Sequence, residues 1–152
     1  MKKFDFYSSY HQFYICDKES EMETGSDNFW TDESVALMLA VEEGVLGVGT
    51  ACYGYVKGEI ELLEIENKRY NSDAYDHIVE AGLHIKSGVI QIQNCPDSSV
   101  EVELNVKPGF YKFRVYGSGF DTVVGDDGDD YYRIEVWSDE NTERKVIKQI
   151  II

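Results

Sequence analysis

The feature that most constrains this chain is a succession of short segments in which apolar and polar side chains alternate with a period of two. VIQIQN (Val89 to Asn94) and VEVELNV (Val100 to Val106) alternate strictly. Val56 to Glu66 interleaves Val56, Ile60, Leu62 and Leu63 with Lys57, Glu59, Glu61 and Glu64. Successive strand side chains point to opposite faces, so this pattern suits strands with one face in a core and the other toward water. In Asp76 to Lys86, Val79, Ala81, Leu83 and Ile85 share one face, and Ile78, Glu80 and Gly82 the other. Phe4 with Phe6, Tyr10 to Cys16, Phe110 to Tyr116, Phe120 to Val124, Tyr131 to Trp137 and the tail from Arg144 to Ile152 read as further strands. Turn formers such as Ser87-Gly88 and Lys107-Pro108-Gly109 separate them. About ten short strands at regular spacing predict an all-β fold, a single-domain antiparallel β-sandwich over residues 1–152.

The stretch from Phe29 to Thr50 carries the densest apolar signal. Val35, Leu37, Leu39 and Val41 alternate with Ala36, Met38 and Ala40, and Val45, Leu46 and Val48 resume after Glu42-Glu43-Gly44. This reads as a central hairpin buried on both faces. The alternative is a short helix capped by Thr31 or Asp32, since Asp-Glu near a helix start is favourable.

Composition narrows the function. A net charge of −15 repels nucleic acid and anionic membrane and attracts basic proteins. The same acidity also keeps a protein soluble without any partner. Cys16, Cys52 and Cys95 have no CxxC spacing and suit reduced thiols in a cytoplasm. The start, MKKFDFYSSYHQF, has no apolar core of a signal peptide. No run approaches the ~18–20 apolar residues of a membrane span. His11, His77 and His84 lack metal-ligand spacing, and there is no GxSxG, P-loop or nucleophile–base pair. A binding protein without cofactor is therefore expected, rather than an enzyme.

Two acidic patches stand out. Asp17, Glu19, Glu21, Glu23, Asp27, Asp32 and Glu33 face only Lys18 between Asp17 and Ser34. Trp30 lies among them, either plugging one end of the sandwich or serving as an exposed anchor within an acidic rim. Asp121 and Asp126, Asp127, Asp129 and Asp130 form the second patch. Carboxylates around a glycine could bind calcium, but the twelve-residue ligand loop with its closing glutamate is absent; the other reading is a solvated turn. If both loops lie at one end of the sandwich, they make one continuous negative surface.

Ser9-Tyr10-His11-Gln12-Phe13 and, after the acidic loop, Trp30-Thr31-Asp32-Glu33 resemble the competence protein J family. The likeness covers the first third of the chain, through Glu43-Gly44. Members of that family are small acidic bacterial proteins that inhibit a nuclease acting on incoming DNA. The resemblance implies a cytoplasmic inhibitor of a basic nuclease, or an immunity protein against a toxin nuclease. Its carboxylates from Asp17 to Glu33 would stand where phosphates bind, with Trp30 as the anchor. The competing reading is a ligand-binding sandwich for carbohydrate or calcium, using exposed tyrosines and the loop from Asp126 to Asp130.

Overall fold

The computed structural model describes residues 1–25 and 27–150. Its strands are β1 (Lys2–Ser8), β2 (Gln12–Asp17), β3 (Leu39–Glu42), β4 (Val45–Gly49), β5 (Gly54–Leu62), β6 (His77–Ile85), β7 (Val89–Gln93), β8 (Val100–Asn105), β9 (Gly109–Ser118), β10 (Tyr131–Ser138) and β11 (Lys145–Lys148), with the α-helix α1 (Asp32–Leu37) between β2 and β3. Two sheets stack, one in the order β1-β5-β10-β9-β6-β11 and the other β3-β4-β2-β7-β8. Pairing is antiparallel except between β5 and β10, which run parallel, a departure from the fully antiparallel expectation. The last two tail isoleucines, Ile151 and Ile152, lie outside the described residues.

The period-two pattern sorts the side chains as expected. Val79, Ala81, Leu83 and Ile85 of β6 enter the core with Phe113 and Val115 of β9 and Ile134 and Val136 of β10. Phe13 and Ile15 of β2, Leu46 and Val48 of β4, and Ile90 and Ile92 of β7 meet them from the other sheet. Phe4, Phe6 and Phe13 pack as an aromatic knot, with centroids 5.7–6.0 Å apart.

Three segments differ from the sequence reading. Ser34 to Leu37 belong to α1 rather than to a strand, and only Leu39 to Glu42 pair with β4. Capping decides this: Thr31 Oγ1 accepts the Ser34 N–H at 3.1 Å, and Asp32 and Glu33 occupy the first turn. Met38 at φ 56° ends the helix in the left-handed region. Val35, 60% exposed, points outward rather than into a core. Phe120 to Thr122 form a 3₁₀ turn rather than a strand. The strand beginning at Gly54 stops at Leu62, and residues 63–76 cross the outer face of the larger sheet.

That outer face is charged yet covered. The Arg114 side chain, 2% exposed, donates to Glu80 at 2.8 Å, Glu66 at 3.1 Å and the Asn67 carbonyl at 2.7 Å. Its guanidinium lies 4.8 Å from the rings of both Tyr70 and Trp137. Tyr116 donates to Glu135, which also takes Arg133 at 2.9 Å. These pairs bind the 63–76 segment to the sheet.

Candidate protein-interaction site

β2 delivers Asp17 to the end of the sandwich where β3 turns into β4 and β6 into β7. Asp17 is buried there and accepts the Ser87 N–H at 3.2 Å and the Ser87 hydroxyl. Its carboxylate braces the β6–β7 turn instead of facing solvent. Glu19, Glu21 and Glu23 follow, exposed, and line a groove of about 910 Å³. The facing wall is Val41 to Gly44, and His84 and Phe110 lie stacked on the groove surface, 4.2 Å apart.

Glu42 and Glu43 complete this acidic corner, though they lie outside the acidic stretch from Asp17 to Glu33. The local reason is the β3–β4 turn: Gly44 takes φ +76°, and a Cβ there would come within 2.9 Å of Ser20 Oγ. The turn and the acidic loop therefore press together, bringing Glu42 and Glu43 to the groove that Glu19, Glu21 and Glu23 line. Facing them are Lys86, 3.3 Å from Glu43, and His84. The groove has the volume of a small-molecule site, but its carboxylate rim is suited to cationic side chains projecting from another protein.

The remaining carboxylates of the first patch lie elsewhere. Asp27 is exposed where the chain crosses the smaller sheet. Asp32 and Glu33 open α1, which leads to Leu39 at the opposite end, beside Val48. Glu33 is 3.5 Å from Arg144, which also holds Ser34 Oγ and the Leu39 carbonyl.

Trp30 is half-buried over the outer face of the smaller sheet. Its indole N–H donates to Gln12 Oε1 at 2.8 Å, and it packs edge-on against the fully buried Phe29. Gly47 leaves room for both rings, since a Cβ there would meet Trp30 at 2.7 Å and Phe29 at 2.8 Å. Trp30 thus covers a sheet face rather than plugging an end of the sandwich. The Trp30–Gln12 bond also joins the two segments that carry the family resemblance.

The second acidic loop lies at the far end from Glu19 to Glu23, because Tyr131 starts β10 opposite Ser118, where β1 hands over to β2. The two loops therefore do not merge into one surface. Asp130 is buried and accepts Tyr132 OH at 2.6 Å and the Cys52 N–H at 3.2 Å. Asp127 caps the Gly128 N–H, and Asp129 lies 3.8 Å from Lys57. Among the described residues no three acidic, histidine or cysteine side chains are placed to hold a metal. Asp130 turns inward, while Asp126, Asp127 and Asp129 stay exposed on the loop.

His77 on β6 ties elements together. It is 3% exposed, lies 2.6 Å from the Leu37 carbonyl through Nε2, and accepts the Ile150 N–H on Nδ1 at 3.1 Å. Burial pushes its pKa below the ordinary histidine value, against a smaller opposing effect of the Leu37 carbonyl. Burial likewise raises the Cys16 thiol to about 12, which keeps it protonated and inert. Among the described residues no helix is long and apolar enough to cross a membrane.

No protein-family model matches the chain, and no curated protein matches it by sequence. Among solved structures, the chain is similar to ComJ from Bacillus subtilis, inhibitor of the DNA-degrading activity of NucA. The match has a TM-score of 0.71 at 21% identity, over 91% of this chain and 96% of ComJ. The crocagin biosynthetic gene J protein also matches, with a TM-score of 0.57 at 16% identity over 92% of this chain and all of that one. The fold is thus shared with the competence protein that the Ser9–Phe13 and Trp30–Glu33 segments resemble, over nearly the whole chain rather than its first third.

Proposed function

We propose that this protein binds and inhibits a basic, DNA-degrading nuclease by placing its acidic corner in the nucleic-acid groove of that enzyme. The observation that carries the reading is the ComJ fold over 91% of a chain with net charge −15. A nuclease must keep a cationic groove for its polyanionic substrate, and Glu19, Glu21, Glu23, Glu42 and Glu43 offer carboxylates to those cations. Long-range attraction accelerates encounter, and the stacked His84 and Phe110 supply apolar contact. Trp30 acts indirectly, holding the loop that carries the glutamates against the sheet. The protein acts by binding, in the cytoplasm, without a cofactor. A toxin nuclease is an equally suitable partner in charge, so the partner panel includes one.

The test is a DNA-cleavage assay in which a panel of purified basic nucleases, a NucA-type enzyme and a toxin nuclease among them, is titrated with this protein. Stoichiometric loss of cleavage, weakened by salt and by Glu21→Gln with Glu23→Gln, supports the reading. Undiminished cleavage by every nuclease of the panel refutes it.

A further inference from the structure

We infer that the end of the sandwich opposite the acidic corner is a second docking surface, which holds an arginine-bearing segment of a protein partner against a cluster of tyrosines. The inference stands independently of the nuclease reading. Tyr7, Tyr10 and Tyr55 are 53%, 61% and 62% exposed, an unusual investment of aromatic surface at one end of a small protein. They are ordered rather than scattered. Tyr7 meets Tyr55 edge-on at 5.6 Å, while Tyr10 and His11 meet Tyr53 at 6.3 and 5.3 Å. Tyr53-Gly54-Tyr55 joins the two groups through the backbone.

The chain holds Tyr10 outward at a conformational cost. Tyr10 and His11 take φ of 64° and 57°, a region that bulky side chains rarely occupy. The turn is pinned on both sides, by Ser9 N–H to the Cys95 carbonyl and by Thr50 N–H to the His11 carbonyl, each at 2.8 Å. Gln12, which also receives Trp30, donates to the Tyr10 carbonyl at 3.3 Å.

Charge selects the occupant. The loop bearing the exposed Asp126, Asp127 and Asp129 folds against the same segment. Asp130 receives the Cys52 N–H, Tyr132 receives the Ala51 N–H at 2.7 Å, and the Asp126 carbonyl lies 3.3 Å from where a Gly54 Cβ would be. Lys57 is the cation paired with this loop, at 3.8 Å from Asp129. Ring faces carry partial negative charge, so tyrosines flanked by carboxylates favour a guanidinium, which can stack on one and pair with the other. Nucleic acid and a second copy of this acidic chain are both repelled.

The experiment titrates the isotope-labelled full chain with a short arginine–glycine peptide at about 150 mM salt, where surface charge alone is largely screened. The expected result is amide shifts in residues 7–11, 53–55 and 126–129. Affinity should fall about fivefold in Tyr10→Ser with Tyr55→Ser and be retained in Tyr10→Phe with Tyr55→Phe. Both positions are exposed, so these variants keep the fold. No binding, shifts confined to Glu19 to Glu23 and Glu42 to Glu43, or equal affinity in the serine variant would overturn the inference. So would a dimer of this chain that the serine variant dissociates.

Discussion

Replacing His77 with leucine tests how the fold closes its open side. The imidazole lies between the Leu37 carbonyl at the end of α1 and the Ile150 N–H of the C-terminal segment. Accepting from Ile150 on Nδ1 leaves the proton on Nε2, which donates to Leu37, so the neutral ring satisfies both partners. Leucine fills similar volume but removes both bonds and leaves two backbone groups without them. At about 1 kcal/mol per bond, plus part of the penalty for unsatisfied buried groups, the loss is about 2–4 kcal/mol. In a domain of this size that lowers the melting temperature by roughly 5–15 °C.

The pH dependence has a definite sign. Burial lowers the folded-state pKa of His77 below the unfolded value, so the unfolded state binds more protons as acid is added. The contribution is complete above about pH 6.5 and is lost as pH falls through the folded pKa. Thermal unfolding of wild type and His77→Leu at pH 7.5 and 5.5 measures this, and the comparison cancels the titration of carboxylates common to both. The gap should shrink on acidification. A gap that stays constant or widens, or a variant as stable as wild type at pH 7.5, would refute the reasoning.

Arg114→Met should destabilise by about 3–5 kcal/mol, because Glu80 is left buried without its closest cation, and trypsin should then cut at Lys68 or Arg69 in the freed 63–76 segment. Gly47→Ala should cost about 1–3 kcal/mol by crowding Phe29 and Trp30, visible as a red shift of the Trp30 emission. Asp17→Asn should lower stability by about 1–2 kcal/mol in urea unfolding while leaving nuclease association unchanged, since this carboxylate faces Ser87. Glu21→Gln should show the converse, normal unfolding and slower association at low salt.

Much of the sandwich was legible because period-two alternation states directly which face of a strand is buried. β6, β7 and β8 lie within a residue or so of where Asp76 to Lys86, VIQIQN and VEVELNV place them. The alternation of Val35, Leu37, Leu39 and Val41 misled because six residues of it span a capped helical turn and the start of a strand. A single Thr31–Ser34 bond outweighs a pattern that short. The acidic corner was half legible. Glu19, Glu21 and Glu23 stand out by local density, but Glu42 and Glu43 join them through a hairpin contact at Ser20 and Gly44 that only the fold supplies. Asp17 and Asp130 looked like their acidic neighbours, and nothing in local composition marks a carboxylate that turns inward to Ser87 or Tyr132. The charged outer face of β9 and β10 was hidden for the same reason: Lys112, Arg114 and Arg133 alternate like solvent-facing residues, yet Arg114 lies under the distant 63–76 segment and Arg133 is held by Glu59, Glu61 and Glu135.

The most direct test of the account is competition. A catalytically silenced NucA-type nuclease is bound to a labelled DNA duplex, and this protein is added while DNA release is followed by anisotropy. Occupation of the groove by the acidic corner predicts that DNA and protein exclude one another, with displacement weakened by Glu19→Gln, Glu21→Gln and Glu43→Gln together. A stable ternary complex of nuclease, DNA and this protein would contradict it.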